Sequence, residues 1–452
     1  LVTRAGHVSE IPLGTAEYLV SVRWKDGDPI VVQASRDQRH FTTSVLRGGK
    51  LQHISELTDP NFLDVIPGQP RWWNGQLLEV VDDLTTDTRR LVLDGKPISP
   101  TGVQVLAVLG TTRHSVDVVA TRNASDRFVA SIDHHGEVTA LTDDGVWAGS
   151  APVELGGQVY RVRQGSRHRG GHRAVELWRD SDLVHVFDSH AERPALSNSD
   201  VHTILTGKHS VNTAVLFPTG HVPGSQALPV LMRPYGGPHG AQVLNAALAY
   251  VEDQWFADQG FAVVVADGRG TPGRGPHWER AVAGNFAEVV LADQVAALHD
   301  AAAAFPGDLD LSRVGIMGWS FGGYLAALAV LDQPDVFHAA VAGAPVTEWS
   351  WYDTAYTERY LGNPNTAPET YHNNSLLHRA AHLQRPLMLV HGLADDNVLA
   401  RHTLALSGEL LAHRKPHTVL PLSGVTHMTP QEVVAENLML LSVDFLRQHL
   451  GG

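Results

Sequence analysis

The stretch Gly318-Trp319-Ser320-Phe321-Gly322-Gly323-Tyr324 sets a serine between glycines two residues to either side. An apolar run, Val314 to Met317, precedes it and another, Tyr324 to Leu331, follows. A strand, a turn too tight for side chains at its glycine positions, and a helix would together project the Ser320 hydroxyl at a helix N-terminus. The chemistry of such a group is acyl transfer. A bare Gly-x-Ser-x-Gly arises by chance and could be a serine N-cap, but the flanking runs favour the nucleophile. A serine hydroxyl attacks poorly at neutral pH without an imidazole base and a carboxylate that orients that base.

In sheets that carry this turn the three groups follow in the order serine, acid, histidine. The run Leu387 to Val390 leads into His391-Gly392-Leu393-Ala394-Asp395-Asp396-Asn397, which puts a carboxylate on a loop at the C-terminal end of a strand. Asp395 is the expected acid and Asp396 its adjacent competitor. The run His417 to Pro421 leads into Ser423-Gly424-Val425-Thr426-His427, and His427 is the expected base. There are 26 histidines, so frequency identifies none of them. His427 alone has the right order and edge, while His391, His413 and His417 read as structural or exposed. The intermediate's oxyanion needs donors. One is the Phe321 N–H, next to the nucleophile at the positive end of a helix; the Tyr235 hydroxyl, in Pro234-Tyr235-Gly236-Gly237-Pro238-His239-Gly240, could be the second. No metal is expected: His-Glu-x-x-His is absent, and His168 to His172 reads as a solvated polar loop. No cofactor is expected either.

Two regions must position these groups. Up to about residue 200 the chain consists of short alternating or β-branched runs, such as Tyr18 to Trp24, Pro29 to Ala34, Val103 to Leu109 and Ser115 to Ala120, broken by turn residues. Closing segments at Gly6 to Pro12, Gly49 to Leu57, Gly95 to Pro100, Gly136 to Thr142 and Ser181 to Asp188 recur roughly every 40 to 46 residues, the period of a four-stranded propeller blade. A plain β-sandwich is the alternative. Beyond about residue 205, strands alternate with amphipathic helices, including Leu291 to Ala303 and Val433 to His449, the latter with Val434, Leu438, Leu441 and Phe445 on its apolar face. The expected division is a partial all-β propeller over 1–204, about four blades plus a closing strand, and a doubly wound, mostly parallel α/β-hydrolase sheet over 205–452.

Composition removes other classes. The 48 acidic residues outnumber the 34 Lys and Arg for a formal charge of -14, so no diffuse basic field exists to hold nucleic acid or an anionic membrane. The absence of cysteine excludes disulfides and thiolate chemistry. The longest apolar runs have about eight residues, against roughly 20 for a membrane span, and no signal-like segment opens the chain. The expected location is the cytoplasm, with secretion the alternative. Because the sequence starts at Leu1 in a strand-like pattern, a processed or truncated chain is expected.

Taken together, Tyr235-Gly236-Gly237-Pro238, Asp267-Gly268-Arg269-Gly270-Thr271, the Ser320 segment, Tyr352-Asp353-Thr354-Ala355-Tyr356-Thr357-Glu358-Arg359-Tyr360 and His391 to Val398 resemble the prolyl oligopeptidase family of serine peptidases, in its dipeptidyl peptidase IV branch. The resemblance covers residues 205 to 452. It implies Ser320, Asp395 and His427 as the triad, and Tyr235 with the Phe321 amide as the oxyanion hole. It further implies a small proline pocket of Phe321, Val346, Trp349, Tyr352, Tyr356 and Val398, with the Asn397 amide on the substrate carbonyl. The residues' own spacing puts Trp349, Tyr352, Tyr356 and Tyr360 on one helical face, which without the resemblance would read as core. A peptide substrate follows, and the resemblance admits a homodimer through the hydrolase domain. Members of that branch hold the substrate amine with two adjacent glutamates on the propeller, and this chain contains no Glu-Glu pair. Their propellers have seven or eight blades, so the missing upstream half is the expected carrier of that pair. Removal of Xaa-Pro or Xaa-Ala dipeptides is thus the leading expectation. An acylaminoacyl peptidase or oligopeptidase with the same triad is the second, and a non-catalytic propeller scaffold the third.

Overall fold

The computed structural model describes residues 11, 13–24, 27–167, 173–188 and 201–451. The strand-like opening from Leu1, most of the closing segment Gly6 to Pro12 and the histidine-rich stretch 168–172 lie outside the described residues.

Four antiparallel sheets follow one another along the first part of the chain. The first runs Tyr18–Arg23, Ile30–Ala34, His40–Arg47 and Lys50–Thr58; the second ends with Lys96–Pro97, the third with Val138–Ala140 and the fourth with Asp182–Val186. Each of these last strands falls in one of the closing segments read from the sequence. Sequential pairing leaves each of the first three sheets as a local meander, so tight turns fix their registers. The fourth sheet adds a short fifth strand, Val153–Leu155, beside Gln158–Arg167.

The remaining strands form one eight-stranded sheet: β1 (His202–Thr206), β2 (Val211–Leu216), β3 (Leu228–Met232), β4 (Ala262–Asp267), β5 (Leu309–Trp319), β6 (Ala339–Gly343), β7 (Leu387–Gly392) and β8 (Thr418–Leu422). Their spatial order is β1-β2-β4-β3-β5-β6-β7-β8, antiparallel at β1 and β2 and parallel from β4 onward. β1 was not anticipated, being a five-residue antiparallel edge strand, HTILT, with alternate exposure. The expected boundary between 204 and 205 falls inside it.

Because side chains alternate across a strand, Val230 and Met232 of β3 enter one core while Leu231 enters the other. Helices cover both faces. We label α1 (Val251–Asp258), α2 (Phe286–Ala304), α3 (Phe321–Asp332), α4 (Thr354–Leu361), α5 (Arg401–Ala412) and α6 (Glu432–Leu450). α2 and α3 pack in the first core through Leu291, Leu298, Leu325 and Leu328, whereas α1 and α6 pack in the second through Phe256, Leu438 and Leu446. The apolar face expected for α6 needs one correction: Leu441 is 48% exposed, and the buried stripe runs Leu438, Ser442, Val443, Leu446 and Leu450. The deeper stripe wins because α6 lies against β5 and β6, where Leu446 and Leu450 meet the backbone of Gly315.

Candidate active site

Ser320 stands where β5 turns into α3. Its backbone has φ +59 and ψ −115, a conformation that non-glycine residues rarely adopt and that costs about 1–3 kcal/mol. The turn is held by Ser320 N–H donating to Gly343 O at 2.9 Å and Tyr324 N–H donating to Ser320 O at 2.9 Å. Glycines 318 and 322 are required by space: a Cβ on Gly318 would stand 2.3 Å from Gly322 O, and one on Gly322 would stand 2.5 Å from Pro234 O. The Phe321 N–H lies in the first turn of α3, where backbone donors have no intrahelical partner. The Phe321 ring itself is 2% exposed and packs among Phe286, Tyr324 and Trp349.

The loop after β7 brings Asp395 beneath His427, on the loop after β8. His427 Nδ1 is 2.7 Å from Asp395 Oδ2. Asp395 Oδ1 accepts from the N–H groups of Asn397 and Val398, each at 2.9 Å. The two backbone bonds on Oδ1 thus leave Oδ2 for the imidazole of His427, with that of His391 farther off at 3.5 Å. Asp395 is 5% exposed while Asp396 is exposed, so burial distinguishes two acids that the sequence leaves side by side. Trp319 Nε1 donates to the His427 carbonyl at 2.7 Å, tying the base loop to the residue before the nucleophile. No hydrogen bond joins the Ser320 hydroxyl to the imidazole among the described residues; such bonds commonly tighten only with substrate bound.

Tyr235 follows β3. Its N–H donates to Gln242 Oε1 at 2.7 Å, and its ring lies 6.1 Å from that of Phe321. Burial, with the nearby Tyr352, pushes its pKa up to about 12, so the hydroxyl remains a proton donor at neutral pH. Gln242 is itself held by Asp267, at the end of β4, which accepts from the N–H groups of Gln242 at 2.9 Å and Val243 at 2.7 Å. Burial pushes the Asp267 carboxyl up to about 6.

The aromatic wall differs in one respect from the single helical face read in the sequence. Trp349–Trp351 is a 3-10 turn capped by Glu348, and α4 begins afresh at Thr354 because the Asp353 side chain accepts from Tyr356 N–H at 2.7 Å. The rings still converge. Trp349 and Tyr356 are stacked at 6.3 Å and 17°, and Tyr352 stands edge-on to both. Val346, Trp349 and Val398 are buried beneath them, with Tyr352 and Tyr356 half-buried. Tyr352 Oη donates to Asn397 Oδ1 at 2.8 Å, which leaves the exposed Asn397 amide N–H groups directed elsewhere.

Sequence reasoning passed over His239 and Gln242, and read His391 as structural or exposed. His391 is 1% exposed, with Nε2 at 2.7 Å from Val398 O and 3.5 Å from Asp395 Oδ2, and Nδ1 at 2.7 Å from Thr403 Oγ1. Burial lowers its pKa. His239 Nε2 is hydrogen-bonded to Tyr360 Oη at 2.9 Å, joining the Tyr235 loop to α4. Gln242 supports Tyr235. His239 and His391 both lie inside quoted motifs, and that position was the available signal.

A nucleophile elbow, a buried acid hydrogen-bonded to a histidine and the β1-β2-β4-β3-β5-β6-β7-β8 order define a serine hydrolase of the α/β-hydrolase fold. Residues 248–452 match the model of the prolyl oligopeptidase family, and this part of the chain belongs to that family of serine peptidases. Dipeptidyl peptidase 8 of Mus musculus is 30% identical over 341 residues, which are 72% of this chain and 38% of that protein. A probable dipeptidyl-aminopeptidase B of Aspergillus clavatus is 37% identical over 194 residues, 42% of this chain and 21% of that one. The solved structure of Porphyromonas gingivalis dipeptidyl peptidase 4 superposes with a TM-score of 0.85 at 22% identity, covering 98% of this chain and 65% of its own, a likeness of fold. The four N-terminal sheets accord with a propeller in front of the hydrolase body. The chain therefore spans well under half the length of the curated relatives it matches.

Proposed function

We propose that this chain is the catalytic part of a serine peptidase that releases Xaa-Pro or Xaa-Ala dipeptides from free N-termini in its full-length form. The observation that carries the reading is the hydrogen-bonded Asp395–His427 pair, tied through Trp319 to the Ser320 elbow, whose Phe321 ring packs on Trp349 of the aromatic wall. With Nδ1 bonded to Asp395, His427 has Nε2 free to take the Ser320 proton as Oγ attacks the acyl carbonyl, and returns it to the leaving amine. The Phe321 N–H and the Tyr235 hydroxyl donate to the oxyanion. Water then repeats the sequence to release the acid. The wall packs on the flat faces of a P1 pyrrolidine, and the Asn397 amide donates to a substrate carbonyl.

The acylaminoacyl peptidase or oligopeptidase reading draws on the absence of any Glu-Glu pair to hold a substrate ammonium. Free and N-blocked Xaa-Pro chromogenic substrates separate the two, and a fluorophosphonate probe tests the serine itself. Labelling that Ser320→Ala abolishes, with preference for the free amine in the full-length form, is expected. Preference for blocked substrates would move the reading to the second class, and no labelling would revive a non-catalytic scaffold. The same proposal extends to assembly as a homodimer: α6 exposes Val433, Leu440 and Leu441 on one face. A monomer mass by light scattering at micromolar concentration would remove it.

A further inference from the structure

The wall that would meet the P1 side chain is gripped from outside the hydrolase domain. α4 has eight residues, a length at which a helix has little stability of its own, so tertiary contacts decide where it sits. On its inner side Tyr356 meets Trp349, Tyr352 and Tyr360. Its outer side is held by the turn between the second and third strands of the first N-terminal sheet. Arg36 makes a two-pronged pair with Glu358, Nε to Oε2 at 2.6 Å and a second nitrogen to Oε1 at 2.7 Å. Glu358 is 4% exposed and the Arg36 side chain 46%, so a buried carboxylate is paired with a guanidinium that water still reaches. Gln38, itself 4% exposed and held at φ +54, uses both ends of its amide: Nε2 donates to Ala355 O at 2.5 Å, and Oε1 accepts from Arg359 Nε at 2.8 Å. Arg359 also donates to Asp64 Oδ1 at 3.0 Å.

We propose that Arg36, Gln38 and Asp64 of the N-terminal domain are specificity-positioning residues: by fixing α4 they hold Tyr356 against Trp349 and Tyr352, in the wall that would meet a proline ring. None of the three touches Ser320, Asp395 or His427, so they act on the choice of acyl group and leave the acyl-transfer machinery as it is. Gln38 carries most of the positioning, since its two bonds grip the helix backbone and an α4 side chain at once. The inference rests on the peptidase reading above, specifically on the wall being the P1 pocket.

The test uses the 452-residue chain and two activated esters that need no amine anchor, an N-blocked Ala-Pro p-nitrophenyl ester and p-nitrophenyl acetate. For the unsubstituted chain, faster acylation by the prolyl ester is the outcome the peptidase reading requires; equal rates on both would overturn that reading. In Gln38→Ala and Arg36→Ala the prolyl rate should fall by about 10- to 100-fold, mainly through KM, while the acetate rate stays within about twofold. Arg36→Lys should recover part of the loss, because it restores the charge without the fork. A preserved prolyl preference in Gln38→Ala overturns the proposal, and so does an equal fall on both esters, which would mark these residues as supports of the whole domain.

Discussion

Asp395 and Asp396 differ by one position and by almost everything that matters electrostatically. Asp395 lies under the imidazole with two backbone N–H bonds on its second oxygen, whereas Asp396 faces solvent. Asp395→Asn leaves an amide that can no longer stabilise the imidazolium or enforce its tautomer, and kcat should fall by about 10⁴. Asp396→Asn should stay within about twofold, since an exposed carboxylate is well screened. Steady-state turnover of an activated ester by the two variants checks both; the reverse pattern would reassign the acid. Tyr235 gives the second prediction at this scale. Its hydroxyl stays protonated well above neutral pH, so under the proposed oxyanion role Tyr235→Phe removes a donor and should lower kcat by about 10²–10³ with little change in KM. A raised KM with unchanged kcat would make Tyr235 a packing residue. The elbow was legible because strand, glycines and helix are all local. The separation of the two aspartates was not, because it depends on the loop from residue 393 to 398 folding back under a histidine that lies 32 positions away.

Between elements, the link from α5 to the wall is a histidine buried without charge. His402, near the start of α5, is 1% exposed; its Nδ1 accepts from Thr347 N–H at 3.1 Å, and its carbonyl accepts from Thr347 Oγ1 at 2.8 Å. Burial, reinforced by His391 and Arg401, lowers its pKa to about 4. In the unfolded chain the same imidazole titrates near ~6.5. Between those values the unfolded chain binds a proton that the folded one does not, so the contribution is fully present above pH ~6.5 and is lost as pH falls toward 4. The loss is on the order of 3 kcal/mol. Asp267 works in the opposite sense: raised to about 6, its charged form is disfavoured in the fold, and its contribution grows as pH falls through that value. The comparison must therefore be with a variant. His402→Asn, which keeps an acceptor near Thr347, should be less stable at pH 7 yet show a flatter stability profile from pH 6.5 to 4 by urea unfolding. An unchanged slope would mean that other groups carry the acid response. None of this could be read from the sequence, where His402 is one of 26 histidines. The helices themselves were readable, since their apolar periodicity is strong. The break at Tyr352 and Asp353 was not, because a capping aspartate interrupts an aromatic spacing that remains helical on paper.

The two halves of the molecule meet across charges that water does not reach. Arg280, in the short helix before α2, reaches Asp59 at 2.7 Å and Asp82 at 2.8 Å, both in the N-terminal domain, and its side chain is 3% exposed. Arg89 of that domain bonds Asp82 at 2.7 Å and crosses back to Glu279 at 2.8 Å. Burial works to raise the pKa of Asp82, but Arg89 and Arg280 together hold it below the ordinary carboxylate value. Every charge in the lattice has an opposite partner, so it costs little net energy as built, yet removing one member strands the others in a medium that solvates them poorly. Replacing Arg280 with an apolar residue of similar reach leaves Asp59 without its guanidinium and Asp82 with one instead of two. Arg280→Met should therefore cost about 3–5 kcal/mol. Because the stranded charges sit between domains, the loss should appear as uncoupling: calorimetry should resolve an early transition of the N-terminal domain from a later one of the hydrolase domain. Arg47→Ala, which breaks the exposed pair with Asp28, provides the contrast and should cost under about 1 kcal/mol. A single cooperative transition for Arg280→Met, shifted no further than that of Arg47→Ala, would mean that apolar contact rather than the charge lattice holds the domains together.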